Sequence, residues 1–272
     1  MSRTTYKSES KIRTVVAVGV FCALAYVACV LFHFRAAFLT FDLKDAVMTI
    51  GAMLFGPLYG LAMTLIVALL EMLTVSTTGL YGFVMNVLAS AAFVCVASLI
   101  YMHWRTMTGA LVGTVCAVFA MTAVMLAANL IITPFYMGVT VDAVAGMIPT
   151  LLLPFNLTKA VFNASLVFIL YKPISSALAR AGFSSVTHTA DKDASKPVPS
   201  QEKKVVYSPV IIAAAVLAVA SLAYFFVSLH GSFTFAEFAQ KEDEKTTSDE
   251  AEEAEPEASD SARIAESLIF TI

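Results

Sequence analysis

The sequence predicts an all-α integral membrane protein, with a core of six helices and one additional C-terminal transmembrane helix. Of its 272 residues, 59% are hydrophobic and only 14% are charged, and the mean hydropathy is +0.81. This composition is typical of membrane proteins. Seven apolar runs mark the helices, near residues 14–34, 46–55, 58–75, 83–102, 108–133, 149–171 and 206–229. Except for the short second run, each approaches the roughly 20 residues that a spanning helix needs.

Composition also divides the chain into five parts. We predict a polar N-terminus, the six-helix core, a polar linker, the seventh helix and an acidic tail, at residues 1–11, 12–180, 181–204, 205–230 and 231–272. The net charge is −3, but most acidic residues follow residue 236. Because the tail has few large apolar residues and many like charges, we expect it to be mostly disordered.

Lys and Arg near the ends of the runs predict the orientation in the plasma membrane. The N-terminus, the turn at 103–107 and the stretch after Tyr171 are basic. Alternating spans place all three on one side, which we expect to be cytoplasmic. The loops at 35–45, 74–82 and 134–148 then face outside, and so does the acidic tail.

The most informative stretch is in the sixth run, where polar side chains interrupt a segment apolar enough to cross a bilayer. Asn156, Lys159 and Asn163 fall within roughly 60° of one another on a helix. Such residues usually face protein or a water-filled cavity rather than lipid. One interpretation is that Lys159 extends to the interface while the asparagines bond neighbouring helices. The other is a polar binding site for a small solute.

Further polar and aromatic residues are expected at the same outer end. Asn129 lies near the end of the fifth run, and its amide, like that of Asn156, suits the edge of a heterocycle. Aromatic side chains could supply flat walls, although interface packing is an alternative for each; they are Phe38, Phe41, Tyr81, Phe135 and Tyr136.

Other polar residues allow two interpretations. Glu71 is expected either to reach water or to join the site. Asn86 is expected to bond another helix rather than a ligand. Asp42 and Asp45 are expected to pair with Arg35 or Lys44 or to cap the second helix, with a ligand or lid role as the alternative.

The first run carries Gly19 and Ala23, four residues apart. Small residues at this spacing allow another helix to approach closely. The partner is either a separate protein or a helix of the same bundle.

Several activities are not indicated. The sequence has no Gly-x-x-x-x-Gly-Lys-[Ser/Thr] loop, so we do not expect the chain to hydrolyse ATP. Neither a nucleophile–base pattern nor metal-ligand spacing is visible, and the four cysteines lie inside apolar runs. We therefore expect neither an enzyme nor a metal protein, and the acidic tail argues against nucleic-acid binding.

Five stretches, taken together, resemble a known family. They are 38–45 (Phe-Leu-Thr-Phe-Asp-Leu-Lys-Asp), 51–60 (Gly-Ala-Met-Leu-Phe-Gly-Pro-Leu-Tyr-Gly), 76–79 with Met85 and Asn86, 129–136 (Asn-Leu-Ile-Ile-Thr-Pro-Phe-Tyr), and 153–159 (Leu-Pro-Phe-Asn-Leu-Thr-Lys) with 170–172. Over about residues 12–180 the chain resembles the substrate-binding S component of energy-coupling factor (ECF) vitamin transporters, and within it the riboflavin-specific branch. It departs from that branch in having Ala46-Val47 where a proline follows the first-loop aspartates.

The resemblance implies a function and a set of residues. It implies riboflavin as the transported ligand, with no cofactor, held by Asn129, Asn156, Lys159 and Asp42. The expected site, from the resemblance and the polar and aromatic pattern together, also includes Phe41 and Asn163.

The resemblance also implies partners. An EcfT-type transmembrane coupling protein would dock at Gly19 and Ala23, where the family has two alanines, and two ATPase subunits would supply the energy. Alternatives are an S component for another vitamin or a modified nucleobase, or a membrane scaffold or sensor that uses the acidic tail.

Overall fold

The computed structural model describes residues 2–76, 78–178, 180, 209–230 and 232–233. The predicted linker at 181–204 and the predicted disordered tail from residue 234 onward lie outside the described residues. The elements, in chain order, are α1 (Ser2–Leu31), β1 (Phe34–Ala36), β2 (Leu39–Phe41), α2 (Lys44–Phe55), α3 (Pro57–Thr74), α4 (Gly79–His103), α5 (Met107–Met137), α6 (Val141–Met147), a π-helical turn (Ile148–Leu152), α7 (Leu153–Leu178), α8 (Pro209–Ser228) and β3 (Ser232–Phe233).

The predicted all-α membrane fold is confirmed. Within the described residues, six helical segments are long and apolar enough to cross a bilayer, namely Ile12–Leu31, Pro57–Thr74, Gly79–His103, Met107–Met137, Val141–Ile174 and Pro209–Ser228. Large apolar side chains cover their outer surface, as at Leu58, Phe119 and Val227. An apolar exterior of this kind suits contact with lipid.

The second helix differs from the others because it lies inside the bundle. α2 has 12 residues, ten of them buried, and it begins at the buried charged pair Lys44 and Asp45. At about 1.5 Å per residue it is too short to cross the bilayer. Gly56, with φ of 116°, separates it from α3, whose first residue is Pro57. The chain therefore enters the bundle at α2, continues into α3 and crosses there.

Two helices continue past prolines at which the sequence predicted their ends. α5 includes Pro134 and ends at Gly138, which has a left-handed φ of 65°. α7 includes Pro173 and continues to Leu178, instead of ending near Tyr171. A proline removes a backbone donor, and its ring crowds the carbonyl four residues earlier. Membrane helices tolerate this because neighbouring groups bond the freed carbonyl. The expected loop at 139–148 is also largely helical, because it contains α6.

Close packing of α4 and α5 depends on a glycine. A Cβ atom added at Gly113 would lie 2.8 Å from the carbonyl oxygen of Ala97 on α4. Real Cβ atoms essentially never approach backbone so closely, so glycine sets the spacing of these two helices.

The first loop, predicted as irregular, folds into a small sheet. β1 and β2 form an antiparallel hairpin in which Phe34 opposes Phe41. β3 adds to the other edge of β1, so the strand order is β2-β1-β3. This sheet lies at the end of the bundle where α3, α5 and α8 end and where α4 and α7 begin, and it covers that end.

Candidate functional site

A cavity opens at the hairpin end of the bundle. It has a volume of about 80 Å³ and adjoins a second space of about 330 Å³, with which it shares Phe38, Thr40, Thr78, Asn86 and Tyr136. We call the two together the outer cavity, after the side of the membrane on which the sequence predicts this end to lie. Its first part is walled by the hairpin, the 78–89 stretch, α5 and the start of α7. Four segments that are distant in sequence therefore meet around one space.

Two asparagines present amide groups to this cavity. Asn129 on α5 donates from Nδ2 to Met125 O at 2.7 Å and accepts from Thr133 Oγ1 at 2.8 Å. Asn156 on α7 donates from Nδ2 to Leu152 O at 2.8 Å. Within the described part of the chain, Asn156 Oδ1 has no protein partner. Each amide thus keeps capacity for a ligand after its own helix is satisfied.

Lys159 lies on the same wall, but the protein already uses its charge. Its Nζ donates to Asp42 Oδ2 and to the carbonyl oxygen of Thr40, both at 3.0 Å. Lys159 is only 4% exposed. The ammonium therefore links α7 to the hairpin and to the loop that follows it, and it reaches the cavity with its charge compensated.

An ionic cluster of five residues adjoins the cavity: Asp42, Lys44, Asp45, Glu71 and Lys159. Lys159 lines the first part of the cavity and Glu71 the second, while the other three lie behind the wall. Lys44 Nζ bonds Asp42 Oδ2 at 3.2 Å and also bonds Glu71 Oε2. Asp45 accepts from the hydroxyl of Ser90 on α4. Burial favours the neutral acid, but the nearby charges of Lys159 and Lys44 outweigh it and hold the pKa of Asp42 well below its ordinary value. The cluster holds the loop and α2 to α3, α4 and α7.

The side chain of Asn163 links α7 to the start of α2 by hydrogen bonds to backbone groups. Its Oδ1 accepts from Ala46 N at 3.0 Å, and its Nδ2 donates to Asp42 O at 3.0 Å and to Lys159 O at 3.1 Å. The first amide groups of a helix lack partners within the helix. Asn163 therefore satisfies one such group at the buried start of α2.

A group of acidic and thiol ligands invites comparison with a metal site. Ligand atoms of Cys29, Asp42 and Glu71 lie within 4.8 Å of one another. Lys44 bonds both carboxylates, however, so its ammonium supplies the positive charge at this place. We assign the group to the ionic cluster.

The structure separates the residues that the sequence placed in one site. Asn129, Asn156 and Lys159 come together on the cavity wall. Phe41, Asp42 and Asn163 do not lie on that wall, and that they contact the ligand stays a prediction. Phe41 is fully buried among aromatic rings, and the other two support the loop from behind.

Two other expectations are corrected. Of the two alternatives for Glu71, water or the site, the first is wrong: Glu71 is 2% exposed, bonds Lys44 from a different helix and lines the second part of the outer cavity. Asn86 makes no hydrogen bond to another helix within the described residues, and it lies on the wall of the outer cavity. For Asp42, the expected pairing with Lys44 is found, while α2 has no side-chain cap at Leu43.

The apolar wall was predicted only in part. Phe38, Tyr81 and Tyr136, named from the sequence, line the cavity, whereas sequence reasoning missed Met85, Met121, Met125 and Phe155. Their helical spacing predicts a packed core equally well. Only the arrangement of the helices shows which of them face a cavity.

Gly19 and Ala23 lie on the outside of the bundle. Both are exposed, and no atom lies within 4 Å of a Cβ added at Gly19. Within the described residues, this pair does not pack inside the bundle, and the face is open to another helix.

Fold and cavity together define a class: a multi-pass helical membrane protein with a cavity at one end that is lined by apolar side chains and a few polar ones. Residues 13–171 match the family model of the ECF transporter substrate-specific component. The chain belongs to this family. As a substrate-specific component of a transporter, it is a binding protein and not an enzyme.

A solved structure agrees with the family match. It is described as the S component of a bacterial ECF transporter, and it is similar to this chain with a TM-score of 0.54 and 25% identity, covering 62% of this chain and 98% of its own. No curated protein matches the chain. Family membership implies association with an energy-coupling module. Since the matched residues end at 171, α8 and β3 lie outside them.

Proposed function

We propose that the protein binds riboflavin, or a close flavin, in the outer cavity and is the solute-binding subunit for its uptake. The observation that carries the proposal is the pairing of amide groups with flat apolar walls. The side-chain amides of Asn129 and Asn156 are planar, and each has a donor and an acceptor. The aromatic rings that line the same cavity provide flat apolar surfaces; they belong to Tyr81, Tyr136 and Phe155. An uncharged heterocycle with amide-like edges fits such a lining.

Charge supports the same class of ligand. Among the described residues, Lys159 is the one charged residue that lines the first part of the cavity, and Asp42 pairs with it. An anionic vitamin would have to compete with that carboxylate for the ammonium. A neutral ring system can bind without displacing Asp42 from Lys159. The resemblance of the 129–136 and 153–159 stretches to the riboflavin-specific branch also supports a flavin as the ligand.

The first test is the absorbance spectrum of the purified full chain, because flavins are yellow and a tight site retains its ligand. We expect a flavin spectrum, or quenching of added riboflavin fluorescence. Asn156→Ala should weaken binding by about 1–3 kcal/mol, since a polar ligand group is left unpaired. Lys159→Ala should weaken it as well, but that change also removes the ion pair with Asp42.

Ser165→Ala is the matched control. Ser165 is buried on the same helix and, like Asn156, bonds a carbonyl four residues earlier, but it does not line the cavity. Its flavin affinity should equal that of the unchanged protein. Unchanged affinity in both Asn156→Ala and Lys159→Ala would exclude this site. If the purified protein were colourless, did not bind riboflavin and were stabilised against heat by another vitamin, that vitamin would replace riboflavin as the proposed ligand.

We further propose that α1 docks an EcfT-type coupling protein, with two ATPase subunits supplying energy. The exposed, uncovered backbone at Gly19 supports this. Gly19→Leu should abolish uptake in cells and leave solute affinity of the purified chain unchanged, because the added side chain blocks close helix approach. Leu24→Ala, an exposed position on α1 that becomes smaller, is the control. If Gly19→Leu also lost solute binding, the docking assignment would fail.

A further inference from the structure

The eighth helix lies outside the family-matched residues, yet it packs into the bundle. One face of α8 is buried, at Ala214, Ala218, Ser221 and Phe225. The opposite face is exposed, and Val227 is 76% accessible. This helix therefore has a specific contact surface.

Phe225 is the centre of that surface. It is fully buried, and its ring centroid lies 4.6 Å from that of Phe41 and 6.2 Å from those of Phe34 and Phe155. Phe34 and Phe41 belong to the two strands of the hairpin, and Phe155 lines the outer cavity. A single side chain of α8 thus contacts both strands and the cavity wall. Aromatic contacts of this geometry each contribute about 0.5–1.5 kcal/mol beyond burial.

The backbone after α8 makes a second contact with the hairpin. β3 pairs antiparallel with β1, with Ser232 opposite Arg35 and Phe233 opposite Phe34. On the other side, Lys159 Nζ bonds the Thr40 carbonyl of β2. The hairpin is therefore held at both edges, by α7 on one side and by the chain after α8 on the other.

The hairpin needs this support because its strands are only three residues long. An isolated two-stranded hairpin is marginally stable at best. Its residues Phe38, Leu39 and Thr40 line the cavity, so any movement of the hairpin changes the wall. We propose that α8 and β3 act as a strap that positions the hairpin over the outer cavity and slows its opening, with Phe225 as the main positioning residue.

The first experiment requires no ligand. Hydrogen exchange of the backbone at 34–41 is measured in the full chain in lipid nanodiscs, for the unchanged protein, Phe225→Ala and Val227→Ala. We expect exchange about tenfold faster in Phe225→Ala, because local opening costs less free energy once the ring contacts are lost. Val227→Ala, on the exposed face, should exchange at the original rate.

A second variant, truncated after residue 204, tests whether the faster exchange comes from loss of the strap and not from a local effect of the Phe225→Ala substitution. It removes the whole strap and keeps residues 13–171, which match the family by themselves. Exchange at 34–41 should rise at least as much as in Phe225→Ala, whereas α4 and α5 should stay protected. Unchanged exchange at 34–41 in both variants would overturn the proposal, and so would equal loss of protection throughout the bundle.

The second experiment rests on the proposed function. Dissociation of bound flavin from Phe225→Ala should be roughly three- to tenfold faster than from Val227→Ala, with a smaller change in association. If the unchanged protein bound no flavin, the proposed solute would be wrong, but the hydrogen-exchange experiment would still test whether α8 and β3 hold the hairpin. If flavin bound and dissociated equally fast from both variants, the strap would have no role at the site.

Discussion

The cavity wall and the ionic cluster behind it use similar polar residues in opposite ways. On the wall, Asn129 and Asn156 bond their own helices and keep amide capacity toward the cavity. Behind it, Lys44 bonds the carboxylates of Asp42 and Glu71, which come from two different segments. Local bonds leave a side chain free to meet a ligand, whereas bonds between distant segments fix the scaffold. The comparison teaches that burial alone does not distinguish a binding residue from a supporting one.

The largest effect is expected at the centre of the cluster. Asp42→Asn leaves Lys159 and Lys44 without their shared carboxylate, and breaking a buried pair costs about 3–5 kcal/mol of unfolding free energy. Because the pKa of Asp42 is held low, its stabilisation is present above pH of about 4 and is lost as the pH falls. Unfolding in mixed micelles containing denaturing detergent measures both effects.

Asp142→Asn provides the comparison for that variant. Asp142 is exposed in the first turn of α6, so the change should alter stability by less than about 1 kcal/mol. Equal stability of Asp42→Asn and the unchanged protein would mean that the ionic cluster does not support the fold.

An intermediate effect is expected at the edge of the cluster. In Glu71→Gln, Lys44 keeps Asp42 and the new amide oxygen still accepts a hydrogen bond. We expect a loss of about 1–3 kcal/mol in the same unfolding measurement, since one charge is removed but no buried polar atom loses every partner. A loss as large as that of Asp42→Asn would show that the two carboxylates are equivalent, which the geometry does not predict.

The smallest effect on stability is expected on the wall. Asn129→Ala removes hydrogen bonds within α5 and should cost about 1 kcal/mol of unfolding free energy. Its effect should appear instead in solute affinity, where we expect a loss of about 1–2 kcal/mol. Titration of riboflavin fluorescence beside the unfolding measurement gives both values. A large loss of stability with unchanged riboflavin affinity would mean that Asn129 supports the fold and does not contact the ligand, which contradicts the difference drawn between the wall and the cluster.

The helices and the first loop show what the sequence by itself predicts and what it does not. The sequence alone predicts the helices, because the length of an apolar run is a property of consecutive residues. It also indicates that Asn156 and Lys159 avoid lipid, since an unsatisfied polar group costs the same in any apolar surrounding. It does not predict that 34–41 joins a three-stranded sheet, because the third strand begins about 190 residues later.

The tertiary structure alone decides which polar residues face the cavity and which bond distant segments of the chain. Asn163 lies on the same helical face as Asn156, but it bonds Ala46 N and Asp42 O, which are 117 and 121 residues away in sequence. Likewise Glu71, expected either at water or in the site, bonds Lys44, and the apolar α8 contacts Phe41 through Phe225. Helix formation depends on neighbours in the chain, whereas satisfaction of a buried polar group depends on whichever distant segment the packing brings within hydrogen-bond distance.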